Sequence, residues 1–290
     1  EGRIKRHELT REKKELDRIK HIDSLQAQTG PVMLIHKENK ALRTILKHIT
    51  SEKNSDTNAV LENWQHELWP VNDIDQVEKI THHLNSIQNL YIADGHHRSA
   101  AASKIFLNQK EQATTNCFLA VTFDETELKI LPYNRVVRDL NQLTVNEFLD
   151  QLSNTFKIDK MNGNSFYNEK YCYFIYLENT WYQIKLKEIP QNISNIAETL
   201  DTRIVEEYIL KPILGIENIR TDDRIDFVGG PQSIEKIVNL VDSGIMKIGI
   251  ALPTTAIEEL LKISDSDQLM PPKSTWFEPK LADGLVSLKI

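Results

Sequence analysis

The stretch that decides the fold is Leu90-Tyr91-Ile92-Ala93-Asp94-Gly95-His96-His97-Arg98-Ser99-Ala100-Ala101-Ala102. Its first half is a short apolar run, which is typical of a buried strand. Its second half consists of small helix formers, and the apolar residues 105–107 follow at helical spacing. Only Gly95 provides slack between the two halves. We therefore predict a strand, a tight turn and a helix, with Asp94 as the N-cap of that helix.

The first turn of the predicted helix carries an unusual set of side chains, His96, His97 and Arg98. A cation at a helix N-terminus opposes the helix dipole, so local helix stability does not explain this choice. A bound anion explains it, because the backbone amides and Arg98 would converge on one phosphate or carboxylate. The structural alternative is that the histidines are core or surface residues and that Arg98 pairs with a nearby acid. We predict a phosphate-binding turn over Gly95–Ser99.

The composition is that of an ordinary globular protein: 290 residues, of which 40% are hydrophobic and 27% charged. The net charge of -7 and the lack of a long basic tract argue against a general nucleic-acid surface. Cys117 and Cys172 give neither a disulfide framework nor metal-ligand spacing, and we expect both to be buried free thiols. With no signal peptide and no apolar span of about 20 residues, we expect a cytoplasmic protein.

The first part of the chain alternates predicted helices and strands, which favours an α/β layer. A strand ends near Arg6, and the charged helix that follows to about Gln26 has Leu16, Ile19, Ile22 and Leu25 as its apolar stripe. The other elements predicted here are a strand at 32–35, a helical stretch over 37–62 with a polar loop at 51–57, a helix at 75–84, and a hairpin of strands at 116–123 and 128–132.

The pattern changes at Asn134, so we predict an α/β portion over residues 1–133 and an α+β portion over 134–290, together forming a mixed sheet with flanking helices. The helices predicted in the second portion lie at 143–156, at 197–209, from the turn at 229–231 to residue 241, and at 254–263 with Thr254 or Thr255 as the cap. Its other predicted elements are a hairpin at 171–186, a strand at 247–252, an ordered loop at 270–281 and a last strand at 284–290.

The chain resembles the domain of unknown function family 1015. The motifs that carry the resemblance are Ile4–Thr10, Thr29–Val32, Tyr91–Arg98, Tyr133–Arg135, Asp226–Gly230, Met270–Leu281 and Gly284-Leu285. Members of this family usually carry a further N-terminal segment, so we expect this chain to be a piece of a longer protein.

The Asp-Gly-His-His-Arg turn is also similar to the phosphate-binding turn of the ParB and sulfiredoxin superfamily. Within that superfamily, the free-serine kinases carry the same turn and a His-Glu pair upstream of it. The resemblance implies a ParB/sulfiredoxin-like core, a catalytic acid–base role for Glu8, a phosphate cradle over Asp94–Arg98, and a substrate that is serine or O-phosphoserine.

The residues themselves agree with phosphoryl chemistry, which needs anion donors, a base near the hydroxyl and usually Mg²⁺. Glu8, Asp94 and His97 are the candidate catalytic residues. Either carboxylate is a candidate Mg²⁺ ligand, since Mg²⁺ takes few protein ligands, and ADP or ATP is the candidate nucleotide. As structural alternatives, Glu8 favours the dipole of a first helical turn and Asp94 is a helix cap.

Other residues are weaker candidates for anion binding. Lys273, Ser274 and Thr275 place a cation and two hydroxyls between prolines, but without the context of a P-loop. We expect this loop to close over the Gly95 turn; the alternative is a packed loop with Lys273 in solvent. The remaining candidates are Arg6, His7, Asn134 and Arg135, with a structural ion pair as the alternative for the last two.

We therefore expect an enzyme that moves or hydrolyses phosphate on a small hydroxy amino acid, as a serine kinase or a phosphoserine phosphatase. The alternative is a non-enzymatic nucleotide-binding switch of the ParB type, although no basic recognition helix is found. The expected partner is a small-molecule substrate, with no nucleic acid and no membrane, and a homo-oligomer is compatible with the sequence.

Overall fold

A computed structural model describes residues 2–61, 64–108, 116–163, 165–190 and 195–290. The chain divides into two compact units that are interleaved in sequence. Unit 1 comprises residues 1–6, 10–128 and 279–290, and unit 2 comprises residues 7–9 and 129–278. The division at residue 133 that the sequence suggests stays a prediction.

Unit 1 is built on a four-stranded mixed sheet with the order β1 (Ile4–Lys5), β6 (Leu90–Asp94), β3 (Val32–His36), β7 (Ala120–Asp124). The β1 and β6 strands are parallel, β6 and β3 are antiparallel, and β3 and β7 are parallel. All of β3 is buried, as its continuous apolar run requires. The predicted mixed α/β fold is confirmed.

Two helices of unit 1 begin after residues whose side chains cap them. The Asn39 side chain accepts from the Leu42 N–H at the start of α2 (Lys40–Glu52), and the Asp73 side chain accepts from the Gln76 N–H at the start of α3 (Ile74–Ser86). The other elements of unit 1 are α1 (Glu12–Leu25), β2 (Ala27–Gln28), the hairpin of β4 (Thr57–Leu61) and β5 (Trp64–Leu68), α4 (His96–Asn108) and β16 (Leu288–Lys289), which pairs with β2.

Helices α1 and α4 pack together through Ile22, Ala101 and Ile105, with Ile19 partly buried against them. The predicted apolar stripe of α1 is therefore only half right, because Leu16 and Leu25 are exposed. The apolar residues that are buried lie on the side of α1 that contacts α4. The local sequence of α1 does not indicate which helix packs against it.

Unit 2 contains a six-stranded sheet in the order β10 (Phe156–Lys160), β12 (Thr180–Leu186), β11 (Cys172–Leu177), β14 (Ile248–Ala251), β9 (Asn134–Val137), β13 (Ile225–Val228). The helices contribute to two cores: α6 (Asp201–Val205) and the π-helical segment after it (Glu206–Leu210) to one, and α7 (Ser233–Asp242) to the other. The remaining elements are β8 (Lys129–Leu131), α5 (Val145–Thr155), α8 (Ile257–Asp265) and β15 (Trp276–Glu278).

Outside the Gly95 turn, three sequence predictions of local structure are wrong. The strands near 120 and 130 do not form a hairpin: β7 pairs with β3 and β8 pairs with β15, with a 3₁₀ turn at Glu125–Glu127 between them. The helix expected up to 62 ends at Glu52 and is followed by β4. Helix α8 begins after Ala256, not after Thr254 or Thr255, and Glu259 accepts from the Ala256 N–H.

The cysteine prediction is half right, because Cys172 is buried but Cys117 is exposed. None of the helices in the described part of the chain is long and apolar enough to cross a membrane.

Candidate functional site

The turn between β6 and α4 is the centre of the site. The Ser99 N–H donates to the Gly95 carbonyl at 2.9 Å, which is the first hydrogen bond of α4. Gly95, with φ of +96°, therefore occupies the cap position. The predicted N-cap role of Asp94 is wrong, because Asp94 is the last residue of β6 and its Oδ1 accepts from the Gly95 N–H at 2.7 Å.

The Arg98 guanidinium lies directly against the turn. A Cβ added to Gly95 would be 2.9 Å from Arg98 Nε, so only glycine allows this approach. Arg98 forms long ion pairs with Asp94 at 3.7 Å and with Asp283 at 3.4 Å. A Cβ at Gly30 would lie 2.9 Å from Asp283 Oδ1 and 3.2 Å from Arg98 Nη1, so the glycine of the Thr-Gly-Pro motif lies against the ends of both side chains.

The two histidines of the turn have different environments. His96 is buried, and burial lowers its pKa to about 4, so it is neutral at pH 7. Its neighbours Asp94, which raises this pKa, and His97 and Arg6, which lower it, are smaller influences. The His97 Nε2 accepts from the Arg11 N–H at 3.0 Å, just before α1, which leaves Nδ1 as the protonated nitrogen. Permanent positive charge in this turn therefore comes from Arg98.

The first-turn amides of His96, His97 and Arg98 have no intrahelical acceptor, since α4 begins at His96. The Ser99 hydroxyl donates to the His96 carbonyl at 3.1 Å, and its N–H is already used within the helix. The geometry thus places the N-terminus of α4 beside one guanidinium, an arrangement suited to an anion, while the Ser99 donors are occupied in this conformation.

Two charged residues of the site were missed by sequence reasoning, Lys280 and Asp283. Lys280 Nζ lies 3.5 Å from Asp94 Oδ2, and Asp283 pairs with Arg98. The segment that carries them is attached to unit 1 by the bond from the Gly284 N–H to the Thr29 carbonyl at 2.9 Å and by the pairing of β16 with β2. Lys280 could have been considered from the sequence, because it lies in the same Met270–Leu281 motif as Lys273.

Upstream of the turn, Arg6 follows β1, and β1 lies parallel beside β6. Arg6 and Asp94 therefore leave the sheet at the same edge. His7 is buried in unit 2, where its carbonyl accepts from the Met270 N–H at 2.8 Å. Glu8 is half-buried and belongs to the same unit as His7.

The candidates in unit 2 lie on β9 and in the loop before β15. Asn134 is buried, and its Oδ1 accepts from the Leu252 N–H at 3.0 Å. Arg135 is fully buried beside it in sequence, but successive strand residues face opposite sides of a sheet, so the two side chains do not share a site.

In the loop, Lys273 donates to the Tyr133 hydroxyl at 3.2 Å. Ser274 is buried and donates to the Pro271 carbonyl at 2.6 Å, and Thr275 is half-buried. The closure of this loop over the Gly95 turn stays a prediction.

No group of three or more His, Cys, Asp or Glu side chains suited to a metal ion occurs among the residues that the structure describes. A Mg²⁺ ion at the turn would therefore depend on Asp94 together with phosphate oxygens and water, which is how Mg²⁺ is commonly held.

A family model described as "Protein of unknown function (DUF1015)" matches residues 1–203. The chain belongs to the DUF1015 family. The matched segment contains the turn, Glu8 and the Asn134-Arg135 pair, so the recognition from sequence motifs is confirmed. The motifs at 226–230 and 270–285 that also suggested this family lie beyond the matched residues. No curated protein matches this DUF1015 chain.

Solved structures that resemble this DUF1015 chain do so distantly. A free serine kinase in complex with AMP has 11% identity and a TM-score of 0.48, and the match covers 99% of this chain and 88% of that one. A conserved hypothetical protein from Pyrococcus furiosus has 14% identity and a TM-score of 0.45, covering 99% and 92%. SbnI from Staphylococcus aureus, truncated at its C-terminus, has 10% identity and a TM-score of 0.47, covering 98% and 82%.

Proposed function

We propose that this DUF1015 protein transfers or hydrolyses a phosphoryl group at the hydroxyl of a small hydroxy amino acid, with serine and O-phosphoserine as the favoured pair. The observation that supports this most is the turn at 94–98, where a helix N-terminus, a glycine with positive φ and a guanidinium lie together. The proposal does not depend on the distant likeness to solved kinases.

In the proposed reaction, the amides of His96, His97 and Arg98 and the Arg98 guanidinium bind the phosphoryl oxygens, and Gly95 allows their close approach. The anion would compete with Asp94 and Asp283 for Arg98, and both of these ion pairs are long enough to be exchanged. Lys280 then supplies a second positive charge near Asp94.

Proton transfer is assigned to Glu8 as the acid–base residue, following the family resemblance, with Asp94 and His97 as the other candidates. A base must reach the serine hydroxyl, or a water molecule in the hydrolytic direction. His97 would act as the acid through its Nδ1–H, because its Nε2 accepts from the Arg11 N–H. ADP or ATP and Mg²⁺ are the proposed cofactors of the transfer direction.

The direction of the reaction is decided by ³¹P NMR in four incubations of the full chain with Mg²⁺: O-phosphoserine alone, O-phosphoserine with ADP, serine with ATP, and serine with ADP. Phosphate released in the first incubation identifies a phosphatase. ATP formed in the second, or O-phosphoserine formed in the third or fourth, identifies a kinase. If all four spectra stay unchanged while ADP binds, the nucleotide-binding switch replaces the enzyme as the best account.

A further inference from the structure

Unit 2 contains a buried cation whose hydrogen-bonding capacity is largely unused. Arg135 lies on β9, between β13 and β14, and its side chain is fully buried. Its Nη1 donates to the Tyr133 carbonyl, whereas Nε and Nη2 have no hydrogen-bond partner among the described residues. Buried donors are nearly always paired, so two such atoms on one guanidinium require an explanation.

The geometry of the guanidinium defines what these two donors bind. The Nε–H and the neighbouring Nη2–H point in parallel from one edge of the planar group, forming a two-pronged fork. That fork matches the two oxygens of a carboxylate or a phosphate, which is the strongest pairing that arginine makes.

The surrounding charge does not neutralise Arg135. Burial lowers the pKa of Arg135 to about 10, so the guanidinium stays charged at pH 7, and Glu206 is the carboxylate that opposes this shift. The buried Glu206 carboxylate is shared, however, because it lies 3.3 Å from Arg203 Nη1 and 3.5 Å from Lys211 Nζ. A charge buried with so little compensation is costly unless an anion pairs with it.

A partly exposed aromatic wall leads from Arg135 to a second cation. The Arg135 Cζ lies 5.3 Å from the centre of the Phe227 ring. The Tyr133 ring contacts Phe227 and Trp276 edge to face, at 6.4 and 5.4 Å between centres. Lys273 Nζ lies 5.0 Å from the centre of the Tyr133 ring and bonds its hydroxyl.

The loop that carries Lys273 is held in place. The Ser274 hydroxyl donates to the Pro271 carbonyl and lies 3.2 Å from the Thr202 hydroxyl. Lys273 has a φ of +60°, which residues other than glycine rarely adopt. Backbone in this region is strained and persists where its surroundings enforce it. The second cation is therefore preorganised.

We propose that unit 2 contains a second anion site, in which the Arg135 fork binds the carboxylate or phosphate of a small ligand beside Tyr133, Phe227 and Trp276, and Lys273 adds a second positive charge. This site is independent of the phosphoryl chemistry proposed for the turn in unit 1. Because Nε and Nη2 are shielded from solvent, the ligand enters by displacing part of the aromatic wall, which predicts slow association.

The test uses tryptophan fluorescence of the full chain titrated separately with inorganic phosphate, serine, O-phosphoserine and ADP. Serine carries only a carboxylate and inorganic phosphate only a phosphate, so these two probes distinguish the sources of the anion. We expect at least one probe to change the emission, and the change to disappear in Trp276→Phe, which assigns it to this wall.

Arg135→Met keeps the length of the side chain and removes the fork, and we expect it to weaken binding at this site at least tenfold. It should also raise the melting temperature of the ligand-free chain, since an unpaired buried charge is lost; a structural ion pair would make the same variant less stable. Arg98→Ala should leave the Trp276 signal intact, which separates this site from the turn.

Lys273→Gln, at an exposed position, keeps the proposal testable if Arg135→Met does not fold, and should weaken binding about threefold or more. Unchanged affinity in Lys273→Gln and in folded Arg135→Met would overturn the proposal. So would the absence of a Trp276 signal with all four probes.

Discussion

The Arg98 ion pairs predict that two substitutions at one site change phosphate affinity in opposite directions. Arg98→Ala removes a charge-assisted donor, which is worth about 1.5–3 kcal/mol, so phosphate should bind about 10- to 150-fold more weakly. Asp283→Asn removes a competitor that lies 3.4 Å from Arg98 and is mostly exposed. Exposed pairs contribute about 0.2–1 kcal/mol, so phosphate should bind about 1.4- to 5-fold more tightly.

Isothermal titration with inorganic phosphate measures both changes, provided that binding in unit 2 is removed by using the Arg135→Met background. Lys47→Ala is the matched control, because it removes one positive charge from an exposed position of α2 in the same unit. Equal weakening of phosphate binding in Arg98→Ala and Lys47→Ala would mean that the change arises from the loss of one positive charge and not from a contact with Arg98. Weaker binding in Asp283→Asn would refute the reasoning, since the carboxylate would then support the site.

Three further predictions concern catalysis, pH and packing. Glu8→Gln should lower turnover about a hundredfold or more with little change in phosphate affinity, measured by steady-state kinetics and titration; unchanged turnover would move the base to Asp94 or His97. Between pH 6.5 and about 4 the unfolded chain binds a proton at residue 96 that the buried His96 of the folded chain does not bind. As pH falls through this range, wild type should therefore lose up to about 3 kcal/mol of unfolding free energy relative to His96→Gln, measured by urea denaturation. Unfolding free energies of the two proteins that stay parallel across this pH range would contradict this. In Gly30→Ala the added methyl meets the end of the exposed Asp283 side chain, so stability should change by less than about 1 kcal/mol. In Gly229→Ala the Cβ would lie 2.3 Å from Trp276 Cε3, so this variant should be destabilised by about 1–3 kcal/mol. Equal effects of the two substitutions would be inconsistent with the packing.

A local element was predictable where the sequence contains both an apolar pattern of helix or strand period and residues that typically begin or end such an element. The strand at 90–94, the turn at Gly95 and the helix after it were found from apolar runs and a glycine. Thr144 begins α5 with a capping box, and Glu178 and Asn179 have the positive φ of a tight hairpin turn.

The errors arise where the partner is distant in sequence. Strand β7 pairs with β3, about ninety residues earlier, so its short polar connection to β8 was mistaken for a hairpin. Asp94 resembles a cap locally, but β6 extends through it because Met33 pairs opposite. Lys280 and Asp283 reach the turn from a segment more than 180 residues away, and no periodicity marks such a contact.

The central claim is that the turn at 94–98 binds a phosphoryl group that the protein transfers or releases. It is tested most directly by the rate of O-phosphoserine consumption in ³¹P NMR, measured for wild type, Arg98→Ala and Lys47→Ala with Mg²⁺, without nucleotide and with ADP or AMP. We predict consumption by wild type and Lys47→Ala at similar rates, and a loss of at least tenfold in Arg98→Ala. Consumption that is absent in wild type, or that proceeds equally fast in Arg98→Ala, would contradict the account.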